Sequence, residues 1–493
     1  MRKLFYGLAA AAALATLAAQ AEAAKDTITL GMQLEPPHLD PTAGAAAAID
    51  EVTYANIFEG LTRIDQNGGV KPALAESWTI SDDGLVYTFK LHKGVKFHDG
   101  TDMDSADVKF SLERAMDEKS TNAQKGLFKP ISKVEAPDAS TVVVTLSQPT
   151  GRFLFNMGWG DAVVVAPESA EGNKTNPVGT GPFKFKNWTK GDRLTIERNP
   201  NYWGTAVKLK SATFKFISDP AAATAAVLAG DVDAFPGFPA PEALAQFKSD
   251  PRLKVVVGST EGETILSTNN KSKYFSDVRV RRAMAHAIDR QAIIDGAMFG
   301  YGTPIGSHFA PHHPAYVDLT GMYPYDLAKA KALLAEAGYP NGFKARLHLP
   351  PPSYARRGGE IIAAQLAKIG IQLEIIPVEW AQWLKAVFKG YDYDLTIVSH
   401  TEPMDIGIYA RDSYYFQYDS PEFKALMKKL DMATDEKTQY DILRQAQRKL
   451  AEDAVNGFLF QLAKTGVWNA KLRGLWPNSP TQANDLTGVY WVD

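Results

Sequence analysis

Three short segments of this chain carry residues suited to holding a small charged molecule: Tyr354, Arg356 and Arg357; Glu379, Trp380 and Trp383; and His400, Glu402 and Asp405. A guanidinium is always charged and offers paired donors in a planar fork, so Arg356 or Arg357 matches a carboxylate. The two arginines are expected at or just before a helix start, where the first backbone N–H groups also favour an anion. Glu402 and Asp405 match an ammonium, and Pro403 between them constrains their loop. Trp380 and Trp383 offer faces for stacking or for a cation. Each has a plainer reading: a solvated helix start with a surface ion pair for the arginines, and a helix packed on its sheet for the tryptophans.

The elements between these segments would bring them to one rim. The pattern predicts a strand over 344–349, a helix over about 356–369, a strand over 372–376, a helix over about 381–388 and a strand over 394–398. That alternation implies a largely parallel sheet with right-handed crossovers. Ligands of such sheets gather beyond the carboxyl ends of the strands, where all three segments fall. Just upstream, Asp326 can cap a helix with Leu327, Ala330, Leu333, Leu334 and Ala337 on its apolar face, ending at Gly338. In the first part of the chain, alternation predicts strands over 27–32 and 86–91, with a helix over about 45–58 between them.

Composition narrows the function classes. Among 493 residues, 45% are hydrophobic and 22% charged, which fits packed domains rather than disorder, and the length suggests two or three of them. The net charge of −3 gives no reason to expect nucleic acid as a partner. The start, Met1-Arg2-Lys3, an apolar run to Ala19 and then Ala21-Glu22-Ala23, reads as an export signal over 1–23 rather than a membrane span. With no cysteine anywhere, neither disulfides nor a lipid-modified cysteine are available, so a free, soluble exported protein is expected. No Gly-x-Ser-x-Gly elbow, phosphate-binding loop or cysteine nucleophile is present. No cofactor and no direct metal site are expected: His312 and His313 are adjacent and would point apart on a strand, and only His308 and His400 fall near the candidate rim.

A collinear series of motifs then resembles the family 5 extracellular solute-binding proteins, the dipeptide, oligopeptide and nickel binders. It runs from Phe58-Glu59-Gly60-Leu61-Thr62-Arg63 through Gly94-Val95-Lys96-Phe97-His98-Asp99-Gly100-Thr101 to Gly179-Thr180-Gly181-Pro182-Phe183 and Arg198-Asn199-Pro200-Asn201-Tyr202-Trp203-Gly204. It continues in Leu228-Ala229-Gly230-Asp231-Val232-Asp233, in Val278-Arg279-Val280-Arg281-Arg282-Ala283 and in 328–342. The resemblance implies an α/β, two-lobed periplasmic-binding-protein fold (type II, cluster C-like) with an extra accessory domain. On this sequence lobe I would comprise 24–59, 177–267 and 470–493, with the accessory domain at 60–176 and lobe II at 268–469. It also implies a monomeric, non-enzymatic periplasmic protein that closes on a small solute and delivers it to the permease subunits of an ABC importer. The solute would be a di- or oligopeptide or a peptide-like compound, the alternatives being an opine, glutathione, a sugar or a metal chelate. A secreted hydrolase is the rival from another class. In dipeptide-binding relatives an arginine of an Ala-Arg-Arg segment holds the ligand carboxylate, which points to Arg356 or Arg357. An aspartate there holds the ligand's amino group; at the matching spacing this chain has Glu402, with Asp405 three residues on.

Overall fold

The computed structural model describes residues 25–44 and 46–492; the segment read as an export signal lies outside the described residues. Among the described residues eleven strands form one sheet that runs through both halves of the molecule. In one half Thr27–Met32 lies parallel to Ser211–Phe216, which continues antiparallel into Arg193–Arg198 and Phe183–Thr189. In the other, Phe343–Leu349 lies between Ile371–Pro377 and Leu395–His400, parallel to both. This is the mixed α/β architecture that the sequence pattern implies, with the expected β-α-β-α-β order in the second half.

Two long antiparallel strands, Leu253–Thr268 and Gly457–Asn469, join the halves. The first pairs through 253–259 with 463–469, through 263–266 with 457–461, and through 263–268 with Leu395–His400. Between Ser259 and Glu263 the ladder slips, and such an irregularity bends a strand and adds twist. Gly258 precedes the slip; a Cβ there would fall 1.8 Å from the carbonyl oxygen of Pro477, so only glycine lets the C-terminal segment cross the strand.

Each part has its own apolar core. Residues 75–146 contribute a four-stranded antiparallel sheet covered by helix Ser105–Met116, with Phe89, Val108, Leu112, Val142, Val144 and Phe153 packed between. Leu30, Phe183, Ile196, Phe214 and Leu486 centre a second core, and Val280, Ile293, Leu347, Ile362 and Leu395 a third. No helix among the described residues is long and apolar enough to cross a membrane.

Local chemistry accounts for the helix ends. Asp326 caps Leu327–Glu336 by accepting from the Lys329 amide at 2.9 Å, and the chain reverses through Gly338 at φ 92°. The helix expected from 356 instead begins at Ser353, because the Pro352 carbonyl already accepts the amides of Ala355 and Arg356. Arg356 and Arg357 are therefore its fourth and fifth residues, past the turn whose free N–H groups favour an anion. The helix expected over 381–388 is a single α-turn, Trp380–Trp383, that widens into a π-type stretch, Leu384–Lys389. Widening to i→i+5 bonds brings residues five apart onto one face, and Trp383 and Phe388 stack there at 6.0 Å. The helix expected over 45–58 is shorter, Ala47–Thr53; Tyr54 is extended, and Asn56 turns its side chain back onto the Val52 carbonyl.

Candidate ligand-binding site

A cavity of about 730 Å³ opens beside the carboxyl end of Leu395–His400. One wall comes from Trp383, His400, Glu402, Asp405, Arg411 and Tyr414, and the facing wall from Gln124, Leu127, Arg152, Asn156 and Trp159, with Asp431 between them. His400 ends its strand opposite Glu263 of the long connecting strand. Met404 then takes a left-handed turn at φ 58°, which sends Asp405 back under the strand end rather than out into solvent.

Asp405 is the centre of a buried polar cluster. Its carboxylate lies 2.6 Å from His308 Nε2 and 3.2 Å from His400 Nδ1. The far ring nitrogens are held as well, His400 Nε2 at 2.9 Å from the Tyr415 hydroxyl and His308 Nδ1 at 3.3 Å from that of Tyr409. Burial would raise the Asp405 carboxyl, but the two imidazoles outweigh it and hold the group well below the usual carboxylate range. Glu263 is in the opposite condition: burial first, then the neighbouring acids Glu261 and Asp405, push it well above its ordinary value.

Arg152 spans the cleft and donates to the Met404 carbonyl. Burial lowers its pKa, and Asp405 and Asp431 oppose that shift. The residue before it is tied across too, since the Gly151 carbonyl accepts from Gln439 Nε2 at 2.8 Å. Beyond the slip in the long strands a smaller depression of about 260 Å³ is lined by Gln33, Leu34, Glu51, Gly237, Thr260 and Lys464. Lys464 there is buried, which lowers its pKa to about 8 against the pull of Glu51.

Of the residues singled out from sequence, Trp383, His400, Glu402 and Asp405 meet at the cavity. Trp383 is buried, and its Nε1 donates to Thr396 Oγ1 at 2.9 Å, so it packs the helix on the sheet and faces the cavity at once. Glu402 is exposed, and its carboxylate accepts from the Thr401 amide at 3.3 Å. Arg356, Arg357 and Trp380 do not line the cavity. Arg356 donates to the carbonyls of Pro350 and Val378 and lies 3.3 Å from Glu379; Arg357 sits over the Phe299 ring at 5.3 Å; Trp380 is exposed and meets Trp383 edge to face. Sequence reasoning did not select Arg152, Arg411, Asp431 or Tyr414. Arg411 and the run Tyr414-Tyr415-Phe416 follow Asp405 closely enough to have been read as the same loop, whereas nothing around Arg152 marks it.

With this geometry in hand, comparison with known proteins is direct. Residues 69–422 match the model of the bacterial extracellular solute-binding proteins, family 5. The chain is 33% identical over 378 residues to the glutathione-binding protein GsiB of Escherichia coli O157:H7, covering 75% of this chain and 73% of that one. It superimposes on HbpA2 from Haemophilus parasuis with a TM-score of 0.87 at 26% identity, over 95% of this chain and 100% of the other. The ABC transporter-associated periplasmic binding protein DppA from Helicobacter pylori, solved with the peptide STSA, gives 0.78 at 27% identity over 95% and 99%.

Proposed function

The chain belongs to the bacterial extracellular solute-binding proteins of family 5, and from that premise we propose that its 730 Å³ cavity seats a zwitterionic, peptide-like solute. It is a solute-binding protein of an ABC importer and not an enzyme; its partners are a small ligand and the importer's permease, not nucleic acid. The observation that carries the ligand reading is the composition of the walls. Arg152 and Arg411 supply guanidiniums for carboxylates, exposed Glu402 supplies an acid for an ammonium, and Trp383 and Tyr414 give faces between them. Asp405 and His400, already bonded to each other, form the floor. Arg356, Arg357 and Trp380 do not line the cavity, and their proposed contact with the solute is during its approach. The names of the relatives, one glutathione-binding and one solved with a tetrapeptide, support a peptide-like ligand over a neutral one.

The division proposed is lobe I at 24–59, 177–267 and 470–493, the accessory domain at 60–176 and lobe II at 268–469. The slip between Ser259 and Glu263, a few residues before the proposed 267/268 boundary, supports a hinge on the long strands near that boundary. A solute touching both walls favours the closed arrangement by its differential affinity. The protein is read as periplasmic, released by cleavage of residues 1–23 and free of a lipid anchor; N-terminal sequencing of the exported form should begin at Ala24. The ligand reading is tested by mass spectrometry of small molecules released on denaturing the purified protein, followed by calorimetry with each. A peptide-like compound carrying both charges is expected, and a neutral sugar bound alone would overturn it.

A further inference from the structure

Under the cavity floor His308 from one stretch of the chain meets His400 and Asp405 from another. His308, His400 and Asp405 each place one ligand atom within 4.8 Å of the others. Glu263, opposite His400 in the ladder, faces the same void as His308 and Asp405, is 2% exposed, and has one carboxylate oxygen without a hydrogen-bond partner. We propose that His308, His400 and Asp405 form a three-ligand binding site for one divalent transition-metal ion of the zinc or nickel kind, with the buried Glu263 carboxyl beside it.

The donor set suits such an ion, since two imidazole nitrogens and carboxylate oxygens match zinc and nickel rather than calcium or magnesium. The surroundings suit it as well. A metal-bound imidazole is oriented through its other ring nitrogen, and here those nitrogens meet the hydroxyls of Tyr415 and Tyr409. Charge balance makes the same point. Two neutral imidazoles and the Asp405 carboxylate leave a net −1 beside the acid Glu263, an excess of negative character that a divalent cation offsets inside a site where unpaired charge is costly. A hydrogen-bonded network without metal satisfies Asp405 through the two histidines but leaves the buried oxygen of Glu263 with nothing to bind. Because His400 and Asp405 also line the cavity, an ion held there turns a coordination position toward the solute. The site does not depend on which solute the cavity takes.

The test is calorimetric titration of tag-free, chelator-stripped protein with Zn²⁺ and, separately, with Ni²⁺. One equivalent per chain is expected, weakened about tenfold or more by His400→Gln and by Asp405→Asn. His92→Gln, which removes a half-exposed imidazole of the accessory sheet, should leave binding as it was. Thermal melts in chelator establish that each variant folds. The visible spectrum of the unmodified protein with Co²⁺ decides independently of any variant: intense bands of a four-coordinate ion support the site. Absence of a one-equivalent ion, binding indifferent to His400→Gln and Asp405→Asn, or only the weak bands of hydrated cobalt overturns it.

Discussion

The loops leaving Phe343–Leu349 and Leu395–His400 start from parallel neighbours in one sheet, carry charged residues of opposite sign, and arrive in different surroundings. The first enters helix Ser353–Ala367 at once, so Arg356 and Arg357 ride on the helix surface, close to Glu379 and Phe299. The second has no such helix to enter. It turns at Met404 and folds under its own strand end, where Asp405 meets His308 and His400. Their places in the sheet explain the contrast: Leu395–His400 borders the long connecting strand, while Phe343–Leu349 is flanked on its far side by the edge strand Ile371–Pro377. Position relative to the connecting strands, more than residue type, decides which charges reach the cleft.

The most severe way to break this contrast is Asp405→Ala. It leaves two buried imidazoles without their acceptor, and removing one partner of a buried pair typically destabilises by about 3 to 5 kcal/mol. Chemical denaturation at neutral pH should show a loss of that order, with Asp405→Asn intermediate. The pH dependence has a definite sign. Because the folded carboxyl lies below its unfolded value of 3.8, its contribution is present above about pH 4 and disappears as pH falls further. Parent and variant melting temperatures should therefore converge in acid. A variant as stable as the parent at pH 7 would mean that the buried cluster holds nothing together.

Arg152→Ala should come next in size, and it acts on binding rather than on the fold. The side chain is the direct link from the accessory wall to the Met404 carbonyl, and it stands beside Asp431 and Asp405. Loss of one side of a buried charged contact costs about 2 to 5 kcal/mol, so solute affinity should fall by well over tenfold. Small-angle scattering should show the parent contracting on ligand addition and the variant contracting less. An unchanged affinity would move the carboxylate contact away from this wall.

The fold was legible where local pattern and tertiary packing ask for the same thing. Alternation placed a strand at Thr27–Met32 and another at Val86–Leu91, each at its observed bounds, because one face of each packs on a core. Asp326 and Gly338 marked the ends of a helix through capping chemistry that needs no distant partner. What stayed hidden is partly local and partly a matter of contacts between segments far apart in sequence. The Pro352 carbonyl moved a helix start by three residues and took the arginines out of its first turn. The packing of Trp383 and Phe388 on one face accompanied the change from α-turn to π-type stretch. Within the candidate site, Trp383, His400, Glu402 and Asp405 could be read from their place after strands and His308 was placed near the same rim, whereas Arg152 comes from another part of the chain.

Glu402→Gln sharpens the comparison inside the cleft-facing loop itself. Asp405 is committed to the two histidines, so the exposed acid three residues before it is the one left for an ammonium. The substitution keeps shape and removes charge. A solute with an amino group should lose affinity by about tenfold, while an analogue lacking that group should bind both proteins alike. Equal losses for both would assign Glu402 to the shape of the loop rather than to the charge of the ligand.

The smallest effect is expected at the other loop. Arg356 keeps 37% of its side chain in solvent beside a Glu379 that keeps 74%, and exposed ion pairs of this kind contribute about 0 to 1 kcal/mol. Arg356→Ala and Arg357→Ala should each leave the equilibrium affinity within about fivefold of the parent. Charges that do not line a cleft act mainly on the encounter, so both variants should bind more slowly at low ionic strength, and the difference should shrink as salt is added. Stopped-flow association at two salt concentrations, set beside calorimetry, separates a steering effect from a holding one. Should either variant lose more than tenfold in affinity at high salt, the solute's carboxylate is held by the first loop after all. The distinction drawn between the two strand ends would then fail where it makes its most specific claim.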